Sequence, residues 1–386
     1  MIKKSPSRMA PGKDAAIPCA KSDAPLKWHS PNDSPFQLIG FPWFDKEHIY
    51  RRLPGKIPSS VGDKVEFIAN HTAGGQIRFQ TTSTRISIRV TLADSDSMAS
   101  LGYMPPTGQC GFDLYVGPPK QQVHNWSVFP GDSVLKVDQQ QELLPRKYES
   151  VFADFSEAEY HHCRKGITEM MNAAVHFPLY HGVKEVLIGL DPEALITPPP
   201  PFEREGKIIV YGTSITQGGY ASHPGMAWSN ILSRRLNLEF VNLGFAGSGD
   251  GDPGMAQLMT EIAHPLCFIL DYDANAALER LKQTLPDFIR ILRKKHPVVP
   301  ILVISNIPAA INMMFPTHSK EEQRVFDKKT VASFRNKGDR HIYYLDGASL
   351  LGEDFGECFV DCGHPNDLGF FRMADNLMPR LKKLLY

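Results

Sequence analysis

The sequence predicts an antiparallel β-sandwich, jelly-roll-like, over residues 36–196, followed by an α/β domain with a five-stranded parallel sheet over residues 206–386. Three observations carry this. At 386 residues the chain exceeds what one hydrophobic core usually supports. Its patterning changes near residue 200, from apolar alternation with little helical periodicity to strands interleaved with helical segments. Between the two lies Pro198-Pro199-Pro200-Pro201, which can continue neither a helix nor a central strand and marks residues 197–205 as a stiff linker.

Taken in order, residues 1–35 read as a tail; Met1 to Asp23 is basic and proline-bearing and lacks the apolar region of a signal peptide. In the first domain, Ile77 to Phe79 and Arg85 to Val90 place apolar side chains on one face of a strand. Val65 to Ile68, Phe112 to Val116, Trp126 to Phe129 and Val183 to Ile188 are further strand candidates. In the second domain the strand candidates are Lys207–Tyr211, Glu239–Leu243, Cys267–Asp271, Ile301–Ser305 and Ile342–Leu345. Helical spacing fills the gaps, notably in Ala277–Lys294, Lys320–Asn336 and Leu368–Leu385. Such alternation favours a parallel sheet covered on both faces.

Bulk properties exclude several classes. With 42 basic and 42 acidic residues the formal charge is zero, so no global field attracts nucleic acid or an anionic membrane. No apolar run is long enough to span a bilayer. Six cysteines over this length do not make a disulfide framework, and a reducing, cytoplasmic setting is expected.

Two short segments concentrate chemistry. After the apolar strand Lys207–Tyr211, Gly212, Gly218 and Gly219 permit a tight turn that presents Ser214 at the carboxyl edge of the sheet. Near the far end, Asp361 precedes His364 by three residues on a glycine-containing loop, so the carboxylate can hold the imidazole in one tautomer while the other ring nitrogen faces a serine. Bland readings compete. Ser214 could cap a helix, and so could Asn275 for a helix starting near Ala276. Gly244 and Gly247 could be turn glycines, and Asp361 could cap a local turn. Cys358, Cys362 and His364 with Asp361 have zinc-binding types, but their spacing is not a standard finger and a fourth ligand is not evident. The glycine-rich turn lacks the Lys-Ser/Thr ending of a P-loop. His161-His162 and Trp28, Trp43 and Trp126 read as surface histidines and buried aromatics. No metal or cofactor is expected.

Residues from about Lys207 to the C-terminus resemble the SGNH (GDSL-type) hydrolases. Gly212-Thr213-Ser214-Ile215-Thr216 stands where the family often has Gly-Asp-Ser-Leu-Ser, so Thr213 and Ile215 depart from it. Val241 to Gly249 is similar to the second block, Leu270 to Asn275 stands for the third, and Asp361 with His364 for the last. Gly111-Phe112-Asp113-Leu114-Tyr115 resembles the Gly-x-Asp-Leu-Tyr signature of a β-sandwich module preceding some of these esterases. The resemblance implies a flavodoxin-like catalytic domain in which Ser214 is the nucleophile, His364 the base and Asp361 its orienter. Backbone amides of Ser214 and Gly247 and the side chain of Asn275 would then form an oxyanion hole. It further implies hydrolysis of a short acyl ester, such as an acetyl group on a carbohydrate or small alcohol. The alternatives are an acyltransferase using the same serine and a non-catalytic carbohydrate-binding protein. The sandwich would bind sugar or simply wall the cleft. Expected partners are a small acylated substrate, with neither nucleic acid nor membrane.

Overall fold

A computed structural model describes residues 25–93, 104–129, 147–154, 170–309, 311, 315 and 320–386. The front half is two antiparallel sheets face to face. One has the order β1 (Lys27–His29), β9 (Val183–Leu190), β4 (Arg85–Leu92), β7 (Lys147–Asp154). The other runs β10 (Ile196–Thr197), β3 (Gln76–Thr81), β8 (Met171–His176), β5 (Phe112–Val116), β6 (Val123–Val128), with β2 (Gln37–Ile39) also paired to β3. Alternation builds the core: Ile86, Ile88, Val90 and Leu92 of β4 meet Ile77, Phe79, Phe112, Leu114 and Val175 from the facing sheet.

The alternation is blunted in β3, where Gln76 and Arg78 are buried as well. Their face packs against the second domain and the linker: Gln76 Nε2 reaches Ser233 Oγ at 3.5 Å, and Arg78 donates to Pro200 O at 3.0 Å and lies 3.8 Å from the Phe202 ring. The proline run is therefore laid along the sandwich rather than spanning a gap.

Three expectations are corrected. The tail is shorter than residues 1–35, because Lys27, Trp28 and His29 pair with Leu190, Gly189 and Ile188. Val65 to Ile68 is helix, not strand: Asp63–Ile68 forms a helix after Gly62. Val65 and Ile68, three apart, fall on one helical face and enter the core of the second domain, which decides between periods in so short a run. Trp126 is about half exposed, unlike the buried aromatic expected there. His161 and His162 lie outside the described residues.

The second domain contains β11 (Lys207–Gly212), β12 (Glu239–Gly244), β13 (Pro265–Asp271), β14 (Ile301–Ile304) and β15 (Ile342–Leu345), parallel in the order β12-β11-β13-β14-β15. Ile208 and Val210 enter one core with helices Trp228–Leu236 and Asp367–Leu385. Ile209 and Tyr211 enter the other, with helices Pro253–Glu261 and Leu278–Lys295. Burial on both faces explains the continuous apolar run. From β11 the chain steps outward to β12 and then crosses back to β13, so a crevice opens at the carboxyl ends of these strands. Among the described residues no helix is long and apolar enough to cross a membrane.

Candidate active site

Ser214 sits where β11 ends. Thr213 is the N-cap of the short helix Ser214–Gln217, its Oγ1 accepting from Ile215 N, so the capping role falls to the threonine and leaves the serine hydroxyl free. The turn is packed from every side. A Cβ on Gly212 would lie 2.0 Å from Thr216 Oγ1 and 2.4 Å from Asp271 O. Gln217 is wholly buried; its Nε2 donates to Leu179 O at 2.9 Å, and its Oε1 accepts from Ala246 N at 3.1 Å. It thereby ties the serine turn to the loop after β12 and to the sandwich.

The second segment arrives after β15. His364 Nε2 lies 3.0 Å from Ser214 Oγ, and His364 Nδ1 lies 2.8 Å from Asp361 Oδ2. A carboxylate can only accept from Nδ1–H, so the Nε2 lone pair faces the serine hydroxyl. Asp361 Oδ1 meanwhile accepts from Gly363 N and His364 N, both at 2.7 Å. The carboxylate thus caps its own turn and orients the ring. Burial alone would raise its pKa; the two amides and the imidazole outweigh burial and hold it below the usual carboxylate range. Tyr220 packs its ring 4.7 Å from that of His364.

The loops after β12 and β13 complete the edge. Gly247 has φ +63°, a left-handed conformation that favours glycine, and its φ rather than crowding is what a side chain would violate, since the nearest atom to a Cβ would be the flexible Lys64 Nζ at 2.7 Å. Asn275 is not a helix cap, because the helix begins at Leu278 with Ala277 before it. Its amide stands against the loop, oriented so that its oxygen accepts from Gly247 N at 3.2 Å and Ser248 N at 3.1 Å; the opposite orientation would set its NH₂ against those two N–H groups. The candidate residues Ser214, Asp361 and His364 are thus in contact, and Gly247 and Asn275 are in contact with each other.

Several neighbours were not singled out from sequence. Gln217 and Asn242 carried a signal, being polar residues inside otherwise apolar or glycine-rich blocks. Asn242 Nδ2 donates to Thr216 O at 2.7 Å while its Oδ1 accepts from Gly244 N at 2.9 Å. Asp271 is buried, its Oδ2 accepting from Thr216 Oγ1 at 2.8 Å; burial pushes it up to about 8, against that hydrogen bond and helped by the charge of Asp273. Tyr220 and Lys64 had no local signal. Of the zinc-type residues, Cys358 is buried in the core and Cys362 is exposed, while His364 is occupied by Ser214 and Asp361.

Comparison with known proteins follows the division of the chain. Residues 205–382 match the GDSL-like lipase/acylhydrolase family, and residues 26–196 match the N-terminus of SGNH hydrolase-type esterases that bears the Gly-x-Asp-Leu-Tyr motif. No curated protein matches significantly. Among solved structures, a protein of Bacteroides ovatus described as a GDSL-like lipase is 28% identical, with TM-score 0.78 over 93% of this chain and 98% of its own. The salicylyl-acyltransferase SsfX3 of a tetracycline biosynthetic pathway is 19% identical, with TM-score 0.71 over the same shares. An acetyl xylan esterase of the rumen bacterium Butyrivibrio proteoclasticus is 14% identical, with TM-score 0.57 over 93% of this chain and 99% of its own. The last two likenesses are of fold.

Proposed function

The chain belongs to the SGNH (GDSL-type) esterases and acylhydrolases, and from that premise we propose that Ser214 is its nucleophile, acting on a short acyl ester of a carbohydrate or small alcohol. The observation that carries the reading is the unbroken line Ser214 Oγ, His364 Nε2, His364 Nδ1, Asp361 Oδ2, with links of 3.0 and 2.8 Å, at the carboxyl edge of the parallel sheet.

The chemistry proceeds from those atoms. His364 Nε2 takes the Ser214 hydroxyl proton as Oγ bonds to the ester carbonyl carbon. Asp361 stabilises the resulting imidazolium. Negative charge on the carbonyl oxygen is received by the backbone N–H groups of Ser214 and Gly247, the latter released from the Asn275 oxygen as that amide turns to present Nδ2 as a third donor; a donor of this kind is worth about 3 to 4 kcal/mol. Collapse breaks the bond to the alcohol oxygen, which leaves with the proton from His364. Water, deprotonated by the same nitrogen, attacks the acyl-enzyme; collapse breaks the bond to Ser214 Oγ, which takes its proton back from His364 as the carboxylic acid departs. The carbohydrate-ester end of the reading draws support from the recurrence of this two-part architecture in an enzyme described as an acetyl xylan esterase.

Intact-mass measurement after fluorophosphonate treatment tests the assignment. One adduct is expected, and none in Ser214→Ala, whose folding should be unchanged and whose ester turnover should fall by on the order of 10⁶. An adduct that persists in Ser214→Ala would remove the nucleophile assignment. With acetylated sugars as substrates, appearance of free acetate supports hydrolysis; transfer to an added alcohol in preference to water would make the protein an acyltransferase.

A further inference from the structure

The Gly111–Tyr115 motif has no part in the chemistry above, yet its side chains account for how the two domains meet. Gly111 is required by space: a Cβ there would lie 2.5 Å from both Thr107 O and Val128 O. Phe112 and Leu114 point into the sandwich core. Asp113 and Tyr115 alternate to the opposite face of β5 and meet residues 220–226 of the second domain. Asp113 is fully buried; its Oδ2 lies 2.5 Å from His223 Nδ1 and accepts from Gly225 N at 2.6 Å. The Tyr115 ring lies so close to Gly225 that a Cβ there would be 2.3 Å from Cε2, and the Arg234 guanidinium stands over the same ring, 3.7 Å from its centroid. From the neighbouring strand β6, the His124 ring stacks on that of His223 at 4.2 Å.

The opposite side of residues 220–226 faces the catalytic loop. Tyr220 packs on His364, and Ser222 N donates at 2.8 Å to Oδ1 of Asp367, three residues after that histidine. The segment is held between the motif and the histidine.

We propose that the Gly-x-Asp-Leu-Tyr motif is a clasp, in which Asp113, through His223 and Gly225, holds residues 220–226 against the His364 loop and so sets the histidine relative to Ser214. Asp113 is then a positioning residue. The effect on turnover rests on the serine-esterase reading, whereas the clasp itself can be read from loop motion. A metal is the competing explanation, because ligating atoms of Asp113, His124 and His223 lie within 4.8 Å of one another. The geometry favours the clasp. His223 Nδ1 already stands at hydrogen-bond distance from Asp113, and the His124 and His223 rings are only 19° from parallel, so lone pairs lying in the ring planes do not converge on one point.

The experiment compares wild type, Asp113→Asn, His223→Gln and the double variant. Each single variant should slow fluorophosphonate labelling and lower kcat about tenfold with KM unchanged, and the double variant should be no worse than either single one. Hydrogen exchange at Ser222 and across residues 361–367 should quicken about tenfold in His223→Gln, whether or not the protein turns over esters. Unchanged exchange, or wild-type labelling by the folded single variants, would overturn the clasp; so would stoichiometric Zn²⁺ binding lost in His124→Ala. If Asp113→Asn does not fold, His223→Gln, which leaves the sandwich intact, carries the same comparison. Failure of the wild type to label at Ser214, with exchange still quickened in His223→Gln, would sink the esterase mechanism and leave the clasp standing.

Discussion

The Ser214 turn and the Asp361–His364 loop supply the two ends of one hydrogen-bonded line, yet they are held by opposite means. Around Ser214 the backbone is locked by distant segments: a Cβ on Gly244 would lie 2.2 Å from Gln217 N, and one on Gly249 would lie 1.9 Å from Gly212 O. Gln217, Thr216 and Gly212 are all buried. The 361–364 loop instead carries its own geometry. The three hydrogen bonds to the Asp361 carboxylate come from residues 363 and 364, Cys362 is exposed, and nothing lies within 4 Å of a Cβ on Gly363. The contrast teaches that the placement of Ser214 is a product of tertiary packing, whereas the orientation of the His364 ring within its loop comes from a local turn and only the position of that loop depends on residues 220–226. Substitutions should therefore cost mostly stability at the first and mostly activity at the second.

The sharpest test of local control is Asp361→Asn. The amide oxygen can still accept from the turn, but an NH₂ facing Nδ1 disfavours the tautomer needed at Nε2. Turnover should fall about 10³- to 10⁴-fold while the protein stays folded, with only the modest stability contributed by the ionised carboxylate lost. Loss of folding instead would mean that the loop depends on this charge for structure.

Paired glycine substitutions probe the other half of the contrast. Gly212→Ala must displace Thr216 or the Asp271 carbonyl and should cost about 3 kcal/mol in chemical denaturation. Gly363→Ala, in open space, should leave stability within about 0.5 kcal/mol of wild type. Equal costs at the two positions would erase the distinction.

The remaining effect is one of pH. Asp271, beneath the serine turn, is raised from 3.8 to about 8 by burial, so the fold favours its neutral form. That contribution is complete below 3.8 and is lost as pH rises towards about 8. Asp361 has the opposite sign, its depressed pKa adding stability that is lost as pH falls through the folded-state value. Between these limits Asp271→Asn should remove up to about 1.4 kcal/mol per pH unit from the wild-type decline in stability. Parallel stability–pH curves for the two proteins would show that Asp271 is ionised in the fold.

Much of this was legible in the chain. Strands β11 to β14 are largely apolar runs buried on both faces, and the local sequences after β11, β12 and β13 supplied Ser214, Gly247 and Asn275. Asp361 and His364 could be paired from their spacing because three residues suffice to close that turn. Tyr220 could not be found, since nothing near it in sequence marks a ring that will pack on His364. Asp113 and Tyr115 were visible as a motif but not as a clasp, because their partners, His223, Gly225 and Arg234, lie more than a hundred residues away. Val65 to Ile68 misled for a related reason: four apolar-rich residues fit either period, and the core they enter belongs to the other domain.

By itself the sequence determined a β-sandwich followed by an α/β domain and pointed to Ser214, Asp361 and His364 as candidates, because hydrophobic period and turn chemistry act over a few residues. The tertiary structure decided which hydroxyl meets which imidazole, that Thr213 rather than Ser214 caps the helix, and that the sandwich meets residues 223–225 through Asp113. Those outcomes depend on the strand order β12-β11-β13-β14-β15 and on the packing of one domain against the other. Distances across such contacts are set by burying apolar surface and satisfying buried polar groups throughout the molecule, which no local pattern encodes.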